Sequence, residues 1–194
     1  ANEEAHGTSI GGTADGPTAS DIGTDSFIYD YTVSDGIALK AAYKPSKSGG
    51  LESSTEFGVQ YTGMPGLTVS AAMGENNAAA DQIDLTVFSA NYSTGPLSFG
   101  IQVNETEHGT GTSNEDFTAY GVSYQVNDDV SVSYGVSTID YASATKEDQE
   151  SSAVSASFTA GGVAISGSYQ VTDNVAGTST ADNTGYEINF SFAF

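Results

Sequence analysis

The chain has two histidines, His6 and His108, so a hydrolytic site working through an imidazole base has to be assembled around one of them. His108 follows Glu105 and Glu107 and precedes Ser113, Glu115 and Asp116, which are the residue types of a nucleophile, a base and an orienting carboxylate. A solvated acidic loop shows the same composition, and no nucleophile-elbow pattern accompanies the histidine. The reading is therefore non-enzymatic. The acid-rich stretches 104–116 and 140–150 could also hold calcium weakly through carboxylates and backbone oxygens, although the ligand spacing of an EF-hand is missing. Solvated charge is the other account of them, and the metal assignment stays open. No cofactor is expected. Gly109-Thr110-Gly111 lacks the strand-to-helix setting of a phosphate-binding loop. Cysteine is absent, which removes disulfides, thiol chemistry and cysteine-based zinc sites.

Charge narrows the partners. With 25 acidic against four basic residues and a net charge of -21, the chain has no means of neutralising phosphates, and nucleic acid is excluded. No run approaches the roughly 18 to 20 consecutive apolar residues of a spanning helix. That leaves strands, which need only one apolar face and about 9 to 11 residues to cross a bilayer.

From residue 26 the sequence alternates apolar and polar residues at period two, the mark of strands with unlike faces. About eleven such segments follow: 26–34, 37–46, 53–63, 67–77, 83–95, 97–107, 117–127, 130–142, 151–161, 163–175 and 184–194. None of the connections reads as a helix. Tight turns at Asp35-Gly36, Met64-Pro65-Gly66, Thr94-Gly95-Pro96, Asn127-Asp128-Asp129 and Gly161-Gly162 take turns with longer polar stretches, as in an up-and-down meander whose two ends face different surroundings.

Charges inside the strands fall on the polar parity. Asp30, Lys40, Lys44, Glu56, Asp84 and Glu187 alternate with apolar neighbours, and they are the candidate pore-lining residues of a barrel standing in hydrocarbon. A soluble sheet with one wet face has the same parity. Small residues on that face, such as Ser131, Ser133, Gly135 and Ser155, leave room for water in a lumen. Tyr31, Tyr43, Tyr61, Tyr120, Tyr124 and Tyr169 sit on apolar parities, as in an interfacial aromatic girdle or through ordinary β-propensity. In strand 83–95, Phe88, Ala90 and Tyr92 break parity with Ile83, Leu85 and Val87, which predicts a β-bulge or a subunit-facing surface.

The last strand places Tyr186, Ile188, Phe190, Phe192 and Phe194 on one stripe. This stripe resembles the C-terminal assembly signal of bacterial outer-membrane barrels, and the chain as a whole resembles a general diffusion porin of the alphaproteobacterial type. The resemblance implies an all-β, antiparallel, up-and-down transmembrane barrel, of which residues 26–194 supply about eleven strands out of a parent number of about sixteen. It implies recognition of the terminal stripe by the barrel-insertion machinery, contact with outer-membrane lipid and lipopolysaccharide, and a homotrimer. Residues 1–25 are polar and without alternation; by resemblance they are the pore-constricting loop, with Glu3, Glu4, Asp15, Asp21 and Asp25 facing Lys40 and Lys44. The function implied is passive diffusion of small hydrophilic solutes and ions. Excess acidity at the lumen and mouth predicts a preference for cations. The competing reading is an acidic, calcium-dependent surface-layer or adhesin-type β-protein.

Overall fold

The computed structural model describes residues 27–46, 53–77, 82–109 and 111–192, and they form one antiparallel sheet. Its strands are β1 (Phe27–Ser34), β2 (Ile37–Lys44), β3 (Ser54–Met64), β4 (Leu67–Asn76), β5 (Ile83–Thr94), β6 (Leu97–His108), β7 (Glu115–Gln125), β8 (Val130–Tyr141), β9 (Gln149–Ala160), β10 (Val163–Asp173) and β11 (Asn183–Phe192). Each pairs with its neighbours in sequence, so the meander has eleven strands in chain order. Among the described residues β1 pairs only with β2 and β11 only with β10, leaving the sheet open at these edges. This is the all-β, up-and-down arrangement that alternation predicts. One departure is a single 3-10 turn at Val175–Gly177, entered with Asn174 and Ala176 in left-handed conformations. Period-two patterning carries no signal for such a turn.

The short turns extend the ladder beyond the hairpins they close. Thr62 N–H donates to the Gly36 carbonyl at 2.7 Å, and Ser93 N–H donates to the Gly66 carbonyl at 2.8 Å. Gly66 has φ +78°, and a Cβ there would lie 2.2 Å from the Ser93 carbonyl oxygen. Only glycine meets both demands, since other L-residues pay for positive φ and would clash.

Residues directly opposite in an antiparallel pair put their side chains on the same face, so the register carries one parity across the whole sheet. One row runs Leu67, Tyr92, Phe99, Val122, Tyr134, Val154, Tyr169, Tyr186 without a polar interruption. The opposite face carries the serines, with Ser98 against Ser123, Ser123 against Ser133 and Ser133 against Ser155. No apolar core separates them. The buried side chains are Ala119, Ala153, Lys44, Ser54, Gln102, Asn104, Ser137 and Ser151, and the register places all of them on the serine face. The exposed large apolar side chains occupy the other parity, Ile28 on edge strand β1 being an exception. The sheet is thus inverted with respect to a protein that buries its apolar face away from water.

Candidate functional site

A concavity of about 550 Å³ opens on the serine face near the short-turn end, between Ser98, Ser123, Ser133, Ser155, Ser168 and Glu187. It identifies this face as the inner side of a curled sheet. The hydroxyls there satisfy one another across strands: Ser133 with Ser155 at 2.6 Å, Ser131 with Ser157 at 2.6 Å, and Ser93 with Ser98 at 2.8 Å. Short side chains paired in this way line the wall with polar groups while adding little bulk to it.

Of the six candidate pore-lining residues, the register puts five on the inner parity. Asp30 stands opposite Lys40, Lys40 opposite Gly58, Lys44 opposite Ser54, Ala42 opposite Glu56, and Glu187 opposite Ser168. Lys40 and Asp30 form an exposed ion pair with Nζ to Oδ1 at 3.6 Å. Asp84 is a correction. Its register partners are Glu75 and Glu107, and the same parity of β5 carries Phe88, Ala90 and Tyr92, so Asp84 lies on the outer face. Of the two accounts of the parity break in this strand, the β-bulge is absent, because the pairing from Ile83 to Tyr92 runs without a shift. Ile83, Leu85 and Val87 instead project from the inner parity, where Phe117 and Ile139 face one another on β7 and β8. Part of the inner wall is therefore apolar.

Asp84 belongs to a collar of carboxylates on the outer parity at the long-loop end. Glu75, Asp84 and Glu107 form one row across β4, β5 and β6. Glu105, Asp116 and Asp140 form another across β6, β7 and β8, and Glu150 faces Asp173. Strand-end acids thus stand just beyond the apolar band. Sequence parity alone missed them, because a strand that leaves the band can carry charge on either face.

The long connections at this end hold each other. Lys146 lies 4.0 Å from the centre of the Tyr141 ring and 3.7 Å from Glu115 Oε1. Asn174 Nδ2 donates to the Asp148 carbonyl at 2.9 Å, and Ala176 N–H donates to Gln149 Oε1 at 2.8 Å. Gly177, buried with φ +77°, packs against the Lys146 stem.

The hydrolytic constellation is divided between the two faces, and of its carboxylates only Glu115 shares the inner parity of His108. His108 is on the inner parity while Glu105, Glu107 and Asp116 are on the outer one, and the His108 N–H donates to Asn114 Oδ1 at 2.8 Å as part of the loop. Among the described residues no group of three or more His, Asp or Glu side chains is arranged to hold a metal ion. On β11, Tyr186, Ile188, Phe190 and Phe192 share the outer parity and are all exposed. Glu3, Glu4, Asp15, Asp21, Asp25 and Phe194 lie outside the described residues.

A family model described as Gram-negative porin matches residues 2–152. The chain belongs to that family. The fold agrees with solved porins: the anion-selective porin from Comamonas acidovorans superposes with a TM-score of 0.71 at 13% identity, over 88% of this chain and 59% of that one. A triple mutant of the Rhodopseudomonas blastica porin gives 0.62 at 20% identity, over 87% and 55%. The outer membrane channel DcaP of Acinetobacter baumannii gives 0.66 at 12%, over 88% and 62%. The chain therefore spans less than two thirds of each of these porins. No curated protein matches it in sequence. Membership in the porin family places the protein in the bacterial outer membrane, where the exposed apolar parity meets hydrocarbon.

Proposed function

We propose that this porin-family chain forms part of the wall of a water-filled channel, through which small hydrophilic solutes and ions diffuse passively without catalysis or a cofactor. The observation that carries the reading is the inversion of the sheet: its buried side chains are mostly polar and share the concave face, while the aromatic rows are exposed on the other. Hydrocarbon suits the second surface and water the first.

A cation preference is the finer part of the proposal. With Asp84 outside, Asp30, Glu56 and Glu187 stand against Lys40 and Lys44 on the inner parity, three carboxylates against two ammonium groups, and Glu115 is paired with Lys146. The anion-selective Comamonas porin has the same fold, so the sign of selectivity rests on side chains and not on architecture. In this reading residues 1–25 supply the constricting loop, with Glu3, Glu4, Asp15, Asp21 and Asp25 adding negative charge. The assembled protein is a homotrimer, inserted by the barrel machinery through its terminal stripe. Its acidic collar meets lipopolysaccharide, with calcium as a bridging ion.

The test is reconstitution of the full-length protein. The proposal expects extraction only with detergent, a gel-mobility shift on heating, and ohmic conductance with swelling of proteoliposomes in small sugars. Release from cells by chelator alone, without conductance, would instead support the calcium-dependent surface protein. Turnover of an ester or peptide that is lost in His108→Ala would contradict the non-enzymatic part.

A further inference from the structure

The serine face is almost free of charge. From β5 through β10 the inner parity of the described strands carries no lysine and no carboxylate other than Glu115, which lies at the long-loop end and is matched by Lys146. One row on this face runs Ser93, Ser98, Ser123, Ser133, Ser155, Ser168, crossing six strands, and it ends opposite Glu187 on β11. Glu187 and Asn189 both border the 550 Å³ concavity. Glu187 Oε1 accepts a hydrogen bond from Asn189 Nδ2 at 3.0 Å, and no cation is paired with it among the described residues. Asp30 differs in this respect, since it is held 3.6 Å from Lys40.

We propose that Glu187 is the group that sets charge selectivity in the short-turn half of this wall, favouring small hydrated cations as they pass along a neutral hydroxyl track. The assignment rests on the channel reading above. An ion's free energy beside a wall depends on the local sum of charge, and paired charges cancel beyond a few ångströms whereas an isolated one does not. The seryl hydroxyls present both donors and acceptors and so discriminate little by sign. That leaves the Glu187 carboxylate as the one charged group that lines the concavity. A unit charge about 7 Å away in water interacts with a monovalent ion by about RT, which corresponds to an occupancy change of about threefold at low salt. Hydroxyls along the row substitute in part for hydration water, so a cation drawn toward Glu187 keeps polar contact as it moves.

The experiment is the reversal potential of the full-length protein in a planar bilayer under a potassium chloride gradient, kept at low concentration so that screening does not mask one charge. Glu187→Gln is expected to lower the potassium-to-chloride permeability ratio about threefold, and Glu187→Lys to lower it further. Asp140→Asn, which removes a carboxylate from the outer parity, serves as the control and is expected to leave the ratio within error. A conducting protein in which both Glu187 variants match the wild type, or in which Asp140→Asn shifts the ratio as far, overturns the assignment and leaves the channel reading intact. A wild-type protein that inserts and does not conduct overturns both.

Discussion

Lys40 Nζ lies 3.6 Å from Asp30 Oδ1, joining neighbouring strands on the concave face with both side chains largely exposed. Such a pair contributes at most about 1 kcal/mol to folding, yet it decides how much charge the wall shows to the lumen. Asp30→Asn is expected to leave the ammonium unbalanced and move the reversal potential toward anions. Lys40→Met moves it toward cations, and the double variant returns close to the wild type. Thermal stability should hardly change across the series, and a large loss would mean that the pair is structural.

The two faces predict opposite consequences for one substitution. Ile101 is exposed on the apolar parity between Ala90 and Tyr120, so Ile101→Arg puts a guanidinium in hydrocarbon at a cost of about 2 to 4 kcal/mol near the midplane. Urea unfolding in lipid vesicles measures it. Ser133→Arg, on the serine face, should leave the heat-modifiable fold in place and lower single-channel conductance. Equal destabilisation by both changes would mean that the faces have been assigned wrongly.

Gly66→Ala tests the coupling of turn to turn. The methyl group would meet the Ser93 carbonyl at 2.2 Å with φ held at +78°, and left-handed backbone alone costs roughly 1 to 2 kcal/mol without glycine. The midpoint of the heat-induced mobility shift is expected to fall. Gly95→Ala has a similar positive φ but nothing within 4 Å of the added atom, so its midpoint should fall less.

Asp84 stands opposite both Glu75 and Glu107, an arrangement in which like charges directly across a ladder repel. Asp84→Asn is therefore expected to stabilise the protein by about 0.2 to 1 kcal/mol at low ionic strength. The gain should fade as salt shortens the Debye length to about 10 Å at 0.1 M and below that at higher concentration. Added calcium should narrow the difference between variant and wild type if the collar bridges to lipid phosphate. A gain insensitive to both salt and calcium would point away from electrostatic repulsion.

The long connections should open together. With Gly177 at φ +77°, an alanine Cβ there would fall 2.7 Å from Lys146 Cβ, which separates residues 142–148 from residues 174–182. Gly177→Ala is expected to speed proteolysis within 142–148. Lys146→Met keeps the stem and loses only the contacts to Tyr141 and Glu115, so its effect should be the smaller one.

Strand order and most face assignments were legible in the residues, because alternation at period two is a local property. Tyr29 and Tyr31 on β1 announce their face by themselves, as do Phe57 and Val59 on β3 and Tyr186 and Ile188 on β11. The short turns were legible for the same reason, since Gly36 and Gly66 mark sites where φ has to be positive. Asp84 was not. Strand β5 carries two successive apolar runs, Ile83 to Val87 and Phe88 to Tyr92, of opposite parity, and a single strand cannot say which run shares its neighbours' face. Only the pairing of Ala71 with Phe88 and of Phe88 with Val103 resolves it. The serine row that ends at Glu187 is likewise invisible along the chain, because its members are separated by whole hairpins and meet only through register. Sequence by itself determined that the sheet has one apolar and one polar side, since that depends on nearest neighbours. Which side curves inward was decided by the tertiary structure, because curvature is a property of all the strands together, and it sets whether water or hydrocarbon meets each face.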